Sequence, residues 1–111
     1  MTIDEVSRGD VVVLRLAGEV DVKSAPALRQ KLDERATAER PRMILNLERL
    51  RYIDSAGLGV LVGGLKSYAA RGGRLVLVAL GPEIRHILEI TRLIKHFDVH
   101  ANEDVAVAAL T

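Results

Sequence analysis

Apolar residues follow two rhythms along this chain: short runs with strand character, and longer stretches at helical spacing. Ile3–Val6 and Val11–Ala17 read as strands joined by a polar turn at Ser7-Arg8-Gly9-Asp10. The second run is apolar on both alternating faces except at Arg15, the pattern of a strand covered on both sides. Ser24 is placed to cap a helix from Ala25 to about Ala36, with Pro26 in its first turn and Ala25, Leu28, Leu32 and Ala36 on one stripe. Arg42–Leu47 is the next strand, built on Met43, Ile44, Leu45 and Leu47. A helix is predicted from Asp54-Ser55 to Arg71-Gly72-Gly73, where glycine supplies the terminal left-handed turn. Its apolar positions are Leu58, Leu61, Val62, Leu65, Tyr68 and Ala69. Leu75–Leu80 is a further internal strand, and Gly81-Pro82 opens a helix carrying Ile84, Ile87 and Leu88. Phe97–His100 is a short last strand, after which Asn102 caps a helix with Glu103 and Asp104 in its first turn.

The order β, β, α, β, α, β, α, β, α predicts an α/β fold. An N-terminal antiparallel hairpin leads into a mainly parallel mixed sheet of four to five strands, packed with about four helices. In such sheets functional groups gather beyond the carboxyl ends of the strands. Those ends lead here to Gly18-Glu19-Val20-Asp21, Tyr52-Ile53-Asp54-Ser55 and Gly81-Pro82.

Composition narrows the function classes. A chain of 111 residues suits one domain, spanning residues 1–111. Without cysteine there is no disulfide, thiolate metal site or cysteine nucleophile. Sixteen basic and fifteen acidic residues give no strong field for nucleic acid or an anionic membrane. An aromatic content of 3% leaves few platforms for stacking bases. The start Met1-Thr2-Ile3-Asp4-Glu5 lacks the basic and apolar regions of a signal peptide, and no apolar run approaches the length that spans a bilayer. The expectation is a cytoplasmic domain that binds neither nucleic acid nor membrane directly.

Several short matches fail on their context. Arg8-Gly9-Asp10 is a hairpin turn before it is an adhesive tripeptide. Gly57-Leu58-Gly59-Val60-Leu61-Val62-Gly63 is one residue too long for a dinucleotide fingerprint and comes too late in the chain. In Gly59–Ser67, Leu65 separates Gly64 from Lys66, so the segment is not a phosphate loop. His86, His96 and His100 have no supporting ligand pattern, and the segment between His96 and His100 reads as strand. Ile53 stands where a hydrolase elbow needs glycine two residues before Ser55. What remains is Ile53-Asp54-Ser55-Ala56-Gly57-Leu58-Gly59, a strand–turn–helix junction with Asp54 or Ser55 as N-cap. Its two glycines cost the first turns about 1 kcal/mol each relative to alanine. They leave Ser55 at a helix start behind nearly bare backbone, open to a protein or to phosphoryl transfer.

This segment, together with Gly18-Glu19-Val20-Asp21, resembles the STAS domain of bacterial anti-anti-sigma factors, and the order of elements agrees over nearly the whole chain. The resemblance implies a STAS-like fold and a non-enzymatic switch protein without cofactor or metal. Its unphosphorylated form would bind an anti-sigma factor that is also a serine kinase, and so free the sigma factor. Phosphorylation at Ser55 would release it, and a serine phosphatase would reset it. Asp21 and Ser24 at the first loop, and Asp54, Gly57, Leu58 and Gly59 at the second, would border the docking surface. Two departures stand out: Thr91-Arg92-Leu93 replaces the glycine that many members carry after the third helix, and Ala56 leaves Ser55 as the single hydroxyl of the motif. Alternative roles are a STAS subunit of a stress-sensing scaffold or lipid-transport complex, or a nucleotide-binding protein using Ser55–Gly59.

Overall fold

In the computed structural model, which describes all 111 residues, β1 (Thr2–Arg8) and β2 (Val11–Val20) form an antiparallel hairpin. It turns at Gly9, whose φ of +64° suits a residue without a side chain. The chain continues through α1 (Ala25–Arg35), β3 (Arg42–Ile53), α2 (Ser55–Ala70), β4 (Arg74–Val78), α3 (Pro82–Ile90), β5 (Asp98–His100) and α4 (Glu103–Leu110). The strands lie in the order β1-β2-β3-β4-β5, and all neighbours after the hairpin are parallel. Consecutive parallel neighbours joined by right-handed crossovers put α1, α2 and α3 on one face.

Alternation along the strands divides the core accordingly. Leu14, Leu16, Met43, Leu45, Leu75 and Leu77 pack with residues of α1, α2 and α3. Val11, Val13, Ile44, Val76 and Val78 point the other way, where Ala106 and Leu110 of α4 cover them. Arg15 is on this second face, paired through Nε with Glu103 Oε2 at 2.9 Å, and Glu103 also accepts from Asn46 Nδ2 at 2.6 Å. The Arg15 hydrogen bond holds the Glu103 carboxyl below the usual carboxylate range, and the Asn46 bond adds to this against the opposing effect of burial. The network ties the start of α4 to β2 and β3.

Several boundaries differ from the sequence expectation. β2 runs to Val20 and β3 to Ile53, so residues expected in loops belong to strands. The two strands pair as far as Val20↔Ile53, with register shifts between Arg15 and Ala17 and between Gly18 and Glu19. Along the end of β3, Leu47, Leu50 and Ile53 are buried while Glu48, Arg49, Arg51 and Tyr52 are exposed. The irregular pairing breaks the period-two pattern by which strands are read. β4 stops at Val78 because Ala79 takes a φ of +58° and leaves the sheet. Leu93–Lys95 forms a single 3₁₀ turn, so His96 ends that turn while His100 lies in the strand. Just before it, Arg92 adopts a φ of +62°, so the turn after α3 is left-handed although Thr91-Arg92-Leu93 contains no glycine.

The inner stripe of α2 also differs: it is Gly57, Val60, Leu61, Gly64 and Tyr68, while Ala69 is exposed and Leu58, Val62 and Leu65 are half-buried. Glycine lets the helix sit directly on the strand ends. A Cβ at Gly57 would lie 2.5 Å from Ile53 Cγ1 and 2.8 Å from the Val20 carbonyl oxygen. Gly57 is therefore a packing residue, not a bare surface for a partner. Gly59 and Gly63 are exposed with open space where a Cβ would stand. Buried Tyr68 donates its hydroxyl to the Leu32 carbonyl at 2.8 Å and fastens the far end of α2 to α1.

Gly57→Ala is expected to destabilise the domain by about 1–3 kcal/mol through overpacking, and Gly59→Ala to stabilise it by about 0.4–1 kcal/mol. Urea unfolding of both variants checks this, and shifts of the same sign would contradict the packing assignment. Because the Glu103 pKa is lowered in the folded state, its network adds stability above the unfolded carboxylate pKa and loses it as pH falls through the folded value. Glu103→Gln should therefore lie below the parent in urea midpoint at pH 7, with the gap closing toward pH 3. A gap independent of pH would show that the carboxylate charge has no part.

Candidate functional site

The pairing of Val20 with Ile53 brings two loops together at the carboxyl edge of the sheet: Asp21–Ser24 leading into α1, and Asp54 leading into α2. Asp54 is the N-cap of α2. Its Oδ1 accepts from Gly57 N at 3.0 Å, and its Oδ2 accepts from Val22 N at 3.0 Å in the other loop. The Asp54 amide in turn donates to the Val20 carbonyl at 3.1 Å, and the Asp54 carbonyl accepts from Leu58 N at 2.9 Å. One residue thus starts the helix and clamps both loops.

Ser24 does not cap α1 by its side chain, as the sequence pattern predicted. Its backbone is already helical, at φ −96° and ψ −20°, and its hydroxyl turns back into the loop. Ser24 Oγ accepts from Asp21 N at 2.9 Å and lies 3.0 Å from the Glu19 carbonyl and 3.1 Å from Asp21 Oδ1. Asp21 Oδ1 also accepts the amides of Lys23 and Ser24, each at 3.0 Å. The Ser24 amide is the main reason the Asp21 carboxyl is held below its ordinary value, with the Ser24 hydroxyl and Lys23 contributing in the same direction. Both side chains are consumed in shaping the loop. Their product is the position of Val22, an apolar residue 69% exposed at its tip.

Ser55 is the first residue of α2, is exposed, and its hydroxyl has no hydrogen-bond partner. It borders a groove of about 470 Å³ between the starts of α1 and α2, lined also by Val22, Ala25, Pro26, Arg29, Ala56, Gly59 and Val60. Of the residues expected to border a docking surface, Gly59 lines this groove, and Asp21, Ser24 and Asp54 form its framework. Leu58 is half-buried against the main core and Gly57 lies beneath the helix. Val22, Pro26 and Arg29 escaped sequence reasoning. Val22 had a signal, as an apolar residue inside the polar loop Asp21-Val22-Lys23, while Pro26 and Arg29 are α1 positions off the buried stripe and had none.

The site offers a free hydroxyl at a helix start, an apolar tip and a shallow groove, an arrangement suited to recognition by another protein. No histidine or cysteine lines the groove to activate the hydroxyl from within, and no group of residues in the chain is arranged to hold a metal ion. No helix is long and apolar enough to cross a membrane.

Comparison with known proteins identifies relatives of the whole chain. The anti-sigma-B factor antagonist of Bacillus subtilis is 35% identical over 104 residues, which cover 94% of each chain. The crystal structure of an anti-sigma factor antagonist from Mycobacterium paratuberculosis superposes with a TM-score of 0.85 at 28% identity, covering 98% of this chain and 92% of that one. The Bacillus cell fate determinant SpoIIAA in its phosphorylated form superposes with a TM-score of 0.76 at 26% identity, covering 99% and 100%. The family model described as "STAS domain" matches residues 2–106, from the first strand to the middle of α4, and by this match the chain belongs to the STAS domain family.

Proposed function

We propose that this protein is an anti-sigma factor antagonist of the partner-switching kind, a binding module and not an enzyme. The observation that carries the reading is the unpartnered Ser55 hydroxyl at the exposed start of α2, beside the Val22 tip. The names of its relatives support the regulatory role, and SpoIIAA in a phosphorylated form supports a cycle of modification. In this cycle the unphosphorylated protein docks on an anti-sigma factor that is also a serine kinase, and the sigma factor is set free. The kinase brings ATP and magnesium. Ser55 Oγ bonds to the γ-phosphorus as the bond to the bridging oxygen of ADP breaks, and the hydroxyl proton passes to a base of the kinase. A serine phosphatase later adds water across the phosphoester, returning the hydroxyl and inorganic phosphate.

Physical chemistry gives the switch its direction. A phosphate adds about −1.5 to −2 charges. Within the isolated domain, the start of α2 favours that charge by about 0.3–1 kcal/mol. In a desolvated interface beside Asp21 and Asp54 the same charge costs several kcal/mol unless a cation meets it. Release therefore follows without refolding of the domain.

Incubation with a cognate anti-sigma kinase and ATP should add one phosphate, at Ser55, and Ser55→Ala should abolish labelling. Because Asp54 and not Ser55 caps α2, the alanine variant should retain its stability and its affinity for the kinase. Mass spectrometry placing the phosphate on Ser7, Ser24 or Ser67 would overturn the assignment. Charge and bulk are separated by a second comparison. Ser55→Asp should lose about 2–5 kcal/mol of binding, roughly 30-fold to several thousand-fold, while Ser55→Asn loses far less. Raising salt should restore little of the aspartate defect, since a buried penalty is weakly screened. Titration calorimetry at two salt concentrations checks this, and equal weakening by both variants would mean that bulk operates the switch.

A further inference from the structure

The groove beside Ser55 has a single ionisable side chain in its lining apart from the serine hydroxyl itself, that of Arg29. Arg29 stands on α1 one turn beyond Ala25, is exposed, and makes no ion pair or hydrogen bond, although Asp33 follows one turn later. It also borders the adjoining cleft lined by Leu32, Asp33, Val60, Gly63 and Gly64, at the junction of α1 with α2, and a depression on α1 itself with Pro26, Gln30, Asp33 and Glu34. On the α2 side of that junction, Gly59 and Gly63 place no Cβ, and the space above them is open. Lys23 is the other cation near the loop, but it acts on Asp21 and does not line the groove.

We propose that Arg29 is the intramolecular receptor for a phosphate on Ser55. A phosphoserine beside the Asp54 and Asp21 carboxylates needs a counter-charge, and Arg29 is the one cation that shares its groove. The guanidinium presents a planar fork of donors matched to phosphate oxygens, and no side chain stands at Gly59 on the surface between them. Once paired, it lies across the groove floor between α1 and α2. Phosphorylation then changes the docking face in two ways: it adds charge at Ser55, and it withdraws Arg29 from any partner carboxylate it met before. An ammonium at this position would supply charge without the fork.

The inference rests on Ser55 being the modified residue, and its test is built to fail separately from that reading. Phosphoserine is installed at position 55 of the full chain by codon suppression, so that no kinase is needed. The second ionisation of the phosphate is then followed by ³¹P NMR in the parent, Arg29→Ala, Arg29→Lys and Lys23→Ala backgrounds. A free phosphoserine titrates at about 6, and pairing with a cation lowers the value. Arg29→Ala should raise it by about 0.3–0.7 unit, Arg29→Lys by less, and Lys23→Ala by a smaller amount still. In 1 M salt the parent and Arg29→Ala should converge, because an exposed pair is screened. Superimposable titrations of the parent and Arg29→Ala would overturn the proposal, as would a shift seen with Lys23→Ala alone. Kinase labelling elsewhere than Ser55 would instead overturn the functional reading, while the ³¹P comparison would still report on Arg29.

Discussion

The site depends on how the Asp54 carboxylate is divided. One oxygen caps α2 through Gly57 N; the other holds Val22 N in a loop 32 residues earlier. The first bond is local to the helix start; the second needs β2 and β3 to end together, which the Val20↔Ile53 pairing achieves. Nor could α2 begin so close to the strand ends if position 57 carried a Cβ, which would strike Ile53 and the Val20 carbonyl. Three local facts, a register, a missing side chain and a shared carboxylate, therefore fix where Ser55 emerges. A charged acceptor makes each bond stronger than a neutral one, so the clamp is firm although it sits near the surface.

Much of this was legible because it follows from periodicity. The stripe Ala25, Leu28, Leu32 and Ala36 is buried as its spacing predicts, and Asn102 caps α4 by accepting Val105 N at 2.9 Å. Gly72 takes the left-handed turn after α2 at a φ of +71°. What escaped lies where long-range pairing overrides local pattern. Glu48, Arg49 and Arg51 read as loop, yet they continue β3 because β2 pairs alongside them. Ser24 reads as a cap, but its hydroxyl serves Asp21. Gly57 and Gly59 look alike in sequence and have opposite surroundings, because only the inward face of α2 meets the strand ends. Membership of a groove is a property of two helices together, so Arg29 carried no signal in its own segment.

The two faces of the sheet differ in what they offer a ligand. On the α4 side, a cleft of about 970 Å³ is lined by Arg15, Arg49, Asp4, Glu48, Glu103 and Asp104 among others. Four carboxylates against two guanidinium groups repel a polyphosphate, and Arg15 is already occupied by Glu103. That charge balance weighs against reading the cleft as a nucleotide site. The groove at Ser55 differs in kind: it is shallow, mostly apolar, and has one unpaired cation and one unpaired hydroxyl. Such a surface suits a protein partner more than a small molecule enclosed on all sides.

A modification that acts as a switch must change an interface by more than it disturbs the fold, and the Ser55 position meets that condition. Its hydroxyl makes no internal hydrogen bond, so esterification breaks none. The cap of α2 belongs to its neighbour and stays in place. Of the first four amides of α2, Gly57 is taken by the Asp54 side chain and Leu58 by the Asp54 carbonyl. Those of Ser55 and Ala56 lie at the end where a helix cannot pair its own donors, beside the new charge. A phosphate there would be tolerated by the domain, and its cost would fall on whatever protein covered it. A phosphate on Ser24 would instead displace the hydroxyl bonded to Asp21 N and loosen the loop that carries Val22. An acceptor on the exposed start of α2, one residue beyond the clamp, would separate the signal from the scaffold.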